Sequence, residues 1–409
     1  MELRKYQVEI AELAFEKLEK YKFVYISVEV RCGKTVMALE AARLFGAKKV
    51  LFCTKIRAFS SVKGDYETFG FKEHFKLTIT NAESLHKALN DYDLIISDEH
   101  HKYGSYPKPS KGQDVFKTKF YGKPVICLSG TPSPESYSQL YHQLNITKYA
   151  PFSNYPTFYR WAKDFVDVRQ MKLSHGTIND YSLADRAKIF KIIEPYFITY
   201  TQKEAGFTTT IDEEILEVEM NNKTYALIER LKRDLVIEGK DEVILADTSV
   251  KLMQKTHQMY SGTVRFESGN SLVFDNSKSV FISARFMNKK IVIFYKFKSE
   301  LDALKSVFEE SLTTELSEFN DTNKSIALQI VSGREGINLS KAEAIVYYNI
   351  DFSAVSYWQS RDRLTTMERK ENKIYWIFAK GGIEHEIYKT VSDKKDFTLS
   401  IFKKCNKTK

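Results

Sequence analysis

The chain has 409 residues, 43% of them hydrophobic and 13% aromatic, and a formal net charge of +9. That length exceeds one ordinary core and suits two α/β lobes of roughly 200 residues each, while the apolar content excludes wholesale disorder. The excess of Lys and Arg favours polyanionic partners, because basic side chains release counterions from phosphate backbones.

The N-terminal run from Met1 to Lys20 reads as a charged amphipathic helix and not as a signal peptide. Probable strands follow at Phe23–Val28, Lys49–Cys53, Lys76–Thr80, Leu94–Ser97 and Val125–Ser129, with helical patterns between them, such as Thr35–Phe45 and Ala82–Asn90. Strand–helix alternation of this kind predicts a parallel sheet with crossover helices. Ser153–Tyr200 differs: it is aromatic and polar, contains Trp161, and reads as helices and loops packed on the first lobe. The stretch Glu194–Thr201 is extended, and Lys203–Thr210 reads as a linker, which sets expected lobes of 1–205 and 211–409.

The alternation then restarts. Ile215–Met220 reads as a strand, and Asn222–Ile237 and Ala246–Ser261 as helices. Strands are expected at Lys290–Phe294, Ile326–Val331, Ala344–Ile350 and Lys373–Phe378, before a closing helix at Ile383–Ser392. The basic end Lys403–Lys409 reads as a solvated tail. Cys32, Cys53, Cys127 and Cys405 show no C-x-x-C spacing, which points to reduced thiols and no zinc site. No apolar run is long enough to span a bilayer, so a soluble, cytoplasmic protein is expected.

Three runs carry chemistry. Val28-Glu29-Val30-Arg31-Cys32-Gly33-Lys34-Thr35 follows an apolar strand and opens a helix, the context a phosphate loop requires. Backbone N–H groups at a helix start grip phosphate oxygens, aided by the helix dipole. Lys34 would reach the β- and γ-phosphates, and the Thr35 hydroxyl would ligate Mg²⁺. About sixty residues on, the strand Leu94–Ser97 delivers Asp98 and Glu99 at its C-terminal end, where open parallel sheets bind ligands. Asp98 would hold Mg²⁺ through water, and Glu99 would orient and deprotonate an attacking water. His100 and His101 lack partners at metal-binding spacing, so no metal besides Mg²⁺ is expected. Third, Val125–Ser129 runs into Gly130-Thr131-Pro132, a turn suited to sensing the γ-phosphate through Ser129 and Thr131.

The order and spacing of Gly33-Lys34-Thr35, Asp98-Glu99-His100-His101 and Ser129-Gly130-Thr131-Pro132 resemble motifs I, II and III of superfamily 2 helicases and translocases, of the DExH type. Leu3-Arg4-Lys5-Tyr6-Gln7 resembles the element upstream of motif I, where Gln7 would read adenine. Val50–Lys55 resembles motif Ia and Thr78–Leu85 motif Ib, both implied nucleic-acid contacts. In the second half, Ile291–Phe297 resembles motif IV, Ser332–Leu339 motif V and Gln359–Arg363 motif VI. The run from Gly336 through Gln359 and Arg363 to Gly382-Ile383-Glu384-His385-Glu386-Ile387 is most similar to the Swi/Snf-like branch, in a short form like phage or bacterial members.

The resemblance implies two tandem RecA-like lobes, each a mainly parallel sheet flanked by helices, with the ATP site in the cleft between them. It implies a phosphate loop of Arg31, Cys32, Gly33, Lys34 and Thr35, with Gly336 contributing from the second lobe and Gln359 coupling alongside Ser129 and Thr131. Arg363 would stabilise the γ-phosphate in the transition state; Thr366 stands where a second arginine belongs, and Arg369 is a substitute. Arg31 stands where the Swi/Snf-like loop has Gly. Implied nucleic-acid contacts are Lys55, Arg57, Asn81, Lys296 and Ser332, which would bind backbone with little sequence preference. The expectation is a monomeric, double-stranded-DNA translocase using ATP and Mg²⁺, in a bacterial cell or phage-infected host. The alternatives are a strand-separating DNA or RNA helicase, although no wedge hairpin is evident in the sequence, and a binding module with a degenerate motor.

Overall fold

Apolar runs in the first half of the chain become strands, β1 (Phe23–Val28), β2 (Lys49–Cys53), β4 (Leu94–Ser97) and β5 (Val125–Ser129), beside the partly exposed edge strand β3 (Lys76–Thr80). The computed structural model describes residues 2–130, 132–133, 136–173, 176–333, 337, 339–353, 360–366 and 368–393. The chain divides into two compact units, Met1–Phe207 and Thr208–Asp393. In the first, β8 (Phe197–Tyr200) joins the five strands in one sheet of order β3-β2-β4-β5-β1-β8. Every pairing is parallel. Every residue of β1, β4 and β5 is buried, as central strands covered on both faces require.

Alternate residues of β1 feed two separate cores. Phe23 and Tyr25 point into one, with Leu51, Cys53 and the aromatic segment. Val24, Ile26 and Val28 point into the other, beneath α1 (Lys5–Tyr21) and α2 (Lys34–Leu44). The aromatic segment is mostly core: Phe158, Trp161, Phe165 and Phe190, on helices Phe158–Phe165 and Arg186–Ile193, lie in the same cluster as Phe23. Between those helices stands an antiparallel hairpin, β6 (Arg169–Leu173) and β7 (Gly176–Asp180), where Met171 faces Ile178 and both are 46% exposed.

The second unit opens with β9 (Thr210–Val218) and contains two small hairpins, β10 (Val236–Glu238) with β11 (Val243–Leu245), and β12 (Thr263–Arg265) with β13 (Ser271–Val273). Its main sheet adds β14 (Ile291–Tyr295), β15 (Leu312–Thr313), β16 (Ser325–Gln329), β17 (Ala344–Tyr347) and β18 (Glu371–Ala379), in the order β15-β16-β14-β17-β18-β9, again all parallel. Ile291 and Ile293 serve one core, Val292 and Phe294 the other. The architecture is therefore the expected one: α/β, with two tandem RecA-like lobes, each a six-stranded parallel sheet flanked by helices.

Several local expectations change. The helical pattern at Ala82–Asn90 reduces to a single 3₁₀ turn, Leu85–Lys87. Only Leu85 of that run is buried, while Leu89 is 67% exposed, so no apolar face exists to hold a longer helix. The helix expected to reach Ile237 stops at Asp234, because Leu235 turns left-handed (φ 59°) and the β-branched pair Val236–Ile237 joins β11. The strand expected to reach Val331 ends at Gln329, and the chain turns into the short helix Ile330–Gly333. The strand expected at Ile215–Met220 begins earlier, at Thr210, and pairs with β18 along nine residues. Helices Ser277–Arg285 and Lys298–Phe308 are additions to the elements expected from the sequence.

Candidate functional site

The phosphate-loop run leaves the C-terminal end of β1 and enters α2 through two left-handed residues, Arg31 (φ 67°) and Gly33 (φ 86°). The left-handed backbone at 33 favours Gly, and a Cβ there would also press on the Gln7 amide. Arg31 adopts the conformation that glycine, its usual counterpart in the resembled family, reaches without strain. For any other residue this costs on the order of 1–3 kcal/mol, a strain that clusters at functional sites. The Lys34 ammonium lies within the loop, donating to the carbonyls of Val28 (2.9 Å) and Glu29 (3.3 Å). The Cα of Gly130 faces it: a Cβ there would stand 3.8 Å from Lys34 Nζ.

Asp98 and Glu99 leave β4, the next strand but one. The Asp98 carboxylate accepts from the Thr54 hydroxyl (2.7 Å) and from the Glu99 amide (2.9 Å). Burial, and then the neighbouring Glu99 charge, push its pKa above the usual carboxylate range, while Thr54 and Lys34 oppose this. A bound cation would remove that penalty, so the pair fits Mg²⁺. Among the described residues no cluster of three or more His, Cys, Asp or Glu is placed to hold a metal ion. Mg²⁺ would accordingly rest on Thr35 and Asp98, completed by phosphate oxygens and water, its usual mode. Glu99 is left-handed (φ 48°), which turns its side chain toward His101, with Nδ1 3.3 Å from Glu99 Oε2 and 2.9 Å from Ser129 Oγ. His100 is different in kind. It is buried, bridges Ser97 Oγ and the Gln143 carbonyl, and burial lowers its pKa to about 3, so it is a neutral structural histidine.

Gln7 does not stand apart from the loop. Its amide donates to the Cys32 carbonyl (3.2 Å), which also accepts from the Tyr6 hydroxyl (3.1 Å). Tyr6 in turn stacks on Tyr200 (5.3 Å between ring centres). Tyr6, Thr54 and His101 lay in the motif runs without an assigned role; Tyr6 and Thr54 make contacts 26 and 44 residues away in sequence.

The five nucleic-acid candidates all follow the C-terminal ends of strands. Lys55 and Arg57 come after β2 and Asn81 after β3, on the side of the sheet away from β1. Asn81 is engaged in capping its own turn through the Ser84 amide (3.1 Å). Thr54 links this side to the phosphate side, because its amide donates to the Thr80 carbonyl (2.9 Å) while its hydroxyl holds Asp98. In the second unit Lys296 follows β14 and Ser332 lies in the turn after β16. Lys296 pairs with Asp351 (3.0 Å) and sits 4.3 Å above the Phe352 ring, so a phosphate would compete with a carboxylate for it.

Arg363 lies in the 3₁₀ turn Asp362–Leu364, is 8% exposed, and reaches the Ile337 carbonyl (3.5 Å), which joins the motif V and motif VI runs. Arg369 is placed otherwise. Its guanidinium donates to the carbonyls of Ser340, Ala342, Glu343 and Glu371 (2.7–3.2 Å), at the entrances of β17 and β18. These are strand entrances, whereas Lys296 and Ser332 of the same unit follow strand exits, so Arg369 here fastens strand ends. Thr131, Gly336 and Gln359 lie outside the described residues, as does the tail Lys403–Lys409.

No family model and no curated protein sequence matches the chain. Among solved structures it is similar to the Sulfolobus solfataricus SWI2/SNF2 ATPase core in complex with dsDNA, at 15% identity and a TM-score of 0.43, over 98% of this chain and 93% of that one. It is also similar to the Sulfolobus solfataricus SWI2/SNF2 ATPase core domain, at 16% identity and a TM-score of 0.43, over 97% and 89%. The structural neighbours are SWI2/SNF2 ATPase cores. No helix among the described residues is long and apolar enough to cross a membrane.

Proposed function

We propose that this chain is an ATP-driven nucleic-acid motor of the superfamily 2, Swi/Snf-like kind, moving on double-stranded DNA. One observation carries the ATPase reading: Lys34 lies close to the Gly130 backbone, beside Ser129, which contacts His101 and through it Glu99, along the exits of three adjacent strands. Lys34 exchanges its two loop carbonyls for the β- and γ-phosphates. Glu99, held by His101, orients a water and takes its proton as the water oxygen bonds to the γ-phosphorus and the bond to the β-phosphate oxygen breaks, giving ADP and phosphate. Thr35 and Asp98 would hold Mg²⁺, which would neutralise charge on the phosphates. Arg363 is assigned as the cation that meets charge developing on the γ-phosphate, a role worth about 10³–10⁵ in rate.

The duplex assignment rests on the net charge of +9, on backbone-type contact candidates at strand exits, and on the Swi/Snf-like run ending in Gly382-Ile383-Glu384. ATP turnover measured alone, with single-stranded DNA, with duplex DNA and with RNA tests it. Stimulation is expected with duplex DNA, and Lys34→Ala should abolish turnover in every tube. Stimulation by single strands alone would overturn the duplex assignment, and unchanged turnover in Lys34→Ala would overturn the site.

A second reading, strand separation, is favoured by the exposed hairpin β6–β7. A two-stranded hairpin is marginally stable alone, and this one leaves Met171 and Ile178 open to solvent on one face. If it parts strands, replacing residues 171–178 with a Gly-Ser turn removes unwinding of a forked duplex while duplex-stimulated ATP turnover stays within about twofold, since among its described residues the strand pairing is between β6 and β7 themselves. Unwinding that survives the replacement removes this reading.

A further inference from the structure

We infer that Gln202 and Glu29 form a clasp making the chain that leaves the first unit part of the phosphate loop, so that nucleotide at the loop is felt in that exit segment. The inference rests on the ATP-binding reading above. β8 pairs with β1 up to Tyr200 opposite Val28, and the Glu29 amide continues the ladder by donating to the Tyr200 carbonyl (3.0 Å). Beyond it, the Gln202 amide donates to Glu29 Oε2 (2.7 Å) and its side-chain Nε2 donates to the Val30 carbonyl (3.0 Å). These contacts span 173 and 172 residues of sequence, which local turn chemistry cannot explain.

The segment behind Gln202 is itself stiff. Glu204 accepts from the Thr201 amide (2.8 Å) and hydroxyl (2.9 Å), and the Phe207 amide donates to the Gln202 carbonyl (3.0 Å). Ala205 and Phe207 are buried in the core that also holds Val28, Cys32 and Val36. The chain enters the second unit at Thr208. Thus Gln202 stands between the loop and the point at which the chain enters the second unit.

The clasp matters because of what Lys34 does. It now ties the loop by bonding the Val28 and Glu29 carbonyls. When Lys34 turns to phosphate those two bonds are given up, while Gln202 keeps its hold on Glu29 and Val30 beside the Glu29–Tyr200 ladder bond. Gln7 and Tyr6 hold only Cys32. Loop and exit segment are then coupled reciprocally: whatever the nucleotide does to the loop's order, the segment shares. Gln202 is a positioning residue and touches no reacting atom.

Hydrogen exchange read by mass spectrometry on the full chain, with and without a non-hydrolysable ATP analogue and Mg²⁺ at saturation, tests this. In the wild type, protection should rise by at least about tenfold in both Val28–Thr35 and Thr201–Phe207. In the double variant Gln202→Ala/Glu29→Ala, Val28–Thr35 should still gain protection while Thr201–Phe207 does not, and analogue affinity should weaken about 3–10-fold. Glu29→Gln, which keeps an acceptor for the Gln202 amide, should retain both. Protection of Thr201–Phe207 that survives the double variant, or a wild-type segment indifferent to nucleotide while the loop responds, would overturn the clasp. A wild-type loop that never responds would instead overturn the ATP reading on which it rests.

Discussion

Glu99→Gln should lower ATP turnover by about 10²–10⁴-fold while leaving nucleotide binding close to unchanged, because the substitution removes a proton acceptor and little else. The amide is nearly the same shape as the carboxylate. It can sit at the same left-handed turn (φ 48°) and can still hydrogen-bond to His101. Its loss of charge also relieves Asp98, whose carboxyl is held above its usual range first by burial and next by Glu99. With Glu99 neutral, the Asp98 pKa moves down, so the carboxylate stays ionised to lower pH and its competence to hold Mg²⁺ does not suffer. Turnover by phosphate release and affinity by a fluorescent ATP analogue separate the two effects. Turnover within about tenfold of wild type would show that another group takes the proton, since a general base contributes at least about 10².

The sequence discloses the first sheet unusually well, for a physical reason. A central parallel strand is buried on both faces and must be apolar at nearly every position, so Phe23–Val28, Leu94–Ser97 and Val125–Ser129 stand out as uninterrupted runs with the limits they have in the structure. Their C-terminal exits then locate Lys34, Asp98, Glu99 and Ser129 without further information. What surrounds those side chains is much less visible. That Gln7 grips Cys32, that Thr54 holds Asp98 and that Gln202 ties Val30 depend on pairs 25, 44 and 172 residues apart, joined by single hydrogen bonds with no periodicity to betray them. The hairpin β6–β7 escapes for a related reason. Its polar, exposed strands lack the buried face that writes an alternating pattern. Arg369 shows the reverse hazard: spacing from Arg363 suggests a catalytic role, but the strand entrances at Ala342 and Glu371 claim the side chain.

The second unit carries its own consequence of long-range pairing. Glu384→Ala should destabilise that unit by about 3–5 kcal/mol, since it strands a buried ammonium. Glu384 and Lys278 are both completely buried, 2.7 Å apart, and join two helix starts that lie 106 residues apart in sequence. Lys278 also donates to the Tyr348 carbonyl (3.3 Å) just beyond β17, and Glu384 accepts from the Ala379 amide (3.4 Å) at the end of β18. The pair thus fastens the helices Ser277–Arg285 and Glu384–Asp393 to the exits of two adjacent strands. It also explains the glycine two residues earlier: a Cβ at Gly382 would collide with Glu384 Oε2. Gly-x-Glu is therefore a packing requirement before it is a family signature. Desolvating two charges costs nearly what their attraction returns, so the double variant Lys278→Met/Glu384→Leu should recover most of the loss, whereas either single change should not. Chemical denaturation followed by hydrogen exchange in Ile291–Tyr295 and Ala344–Tyr347 isolates this unit from the first. A cost below about 1 kcal/mol for Glu384→Ala would mean that water reaches Lys278 and that the two helix starts part easily, because a stranded charge that can be rehydrated no longer carries the full burial penalty.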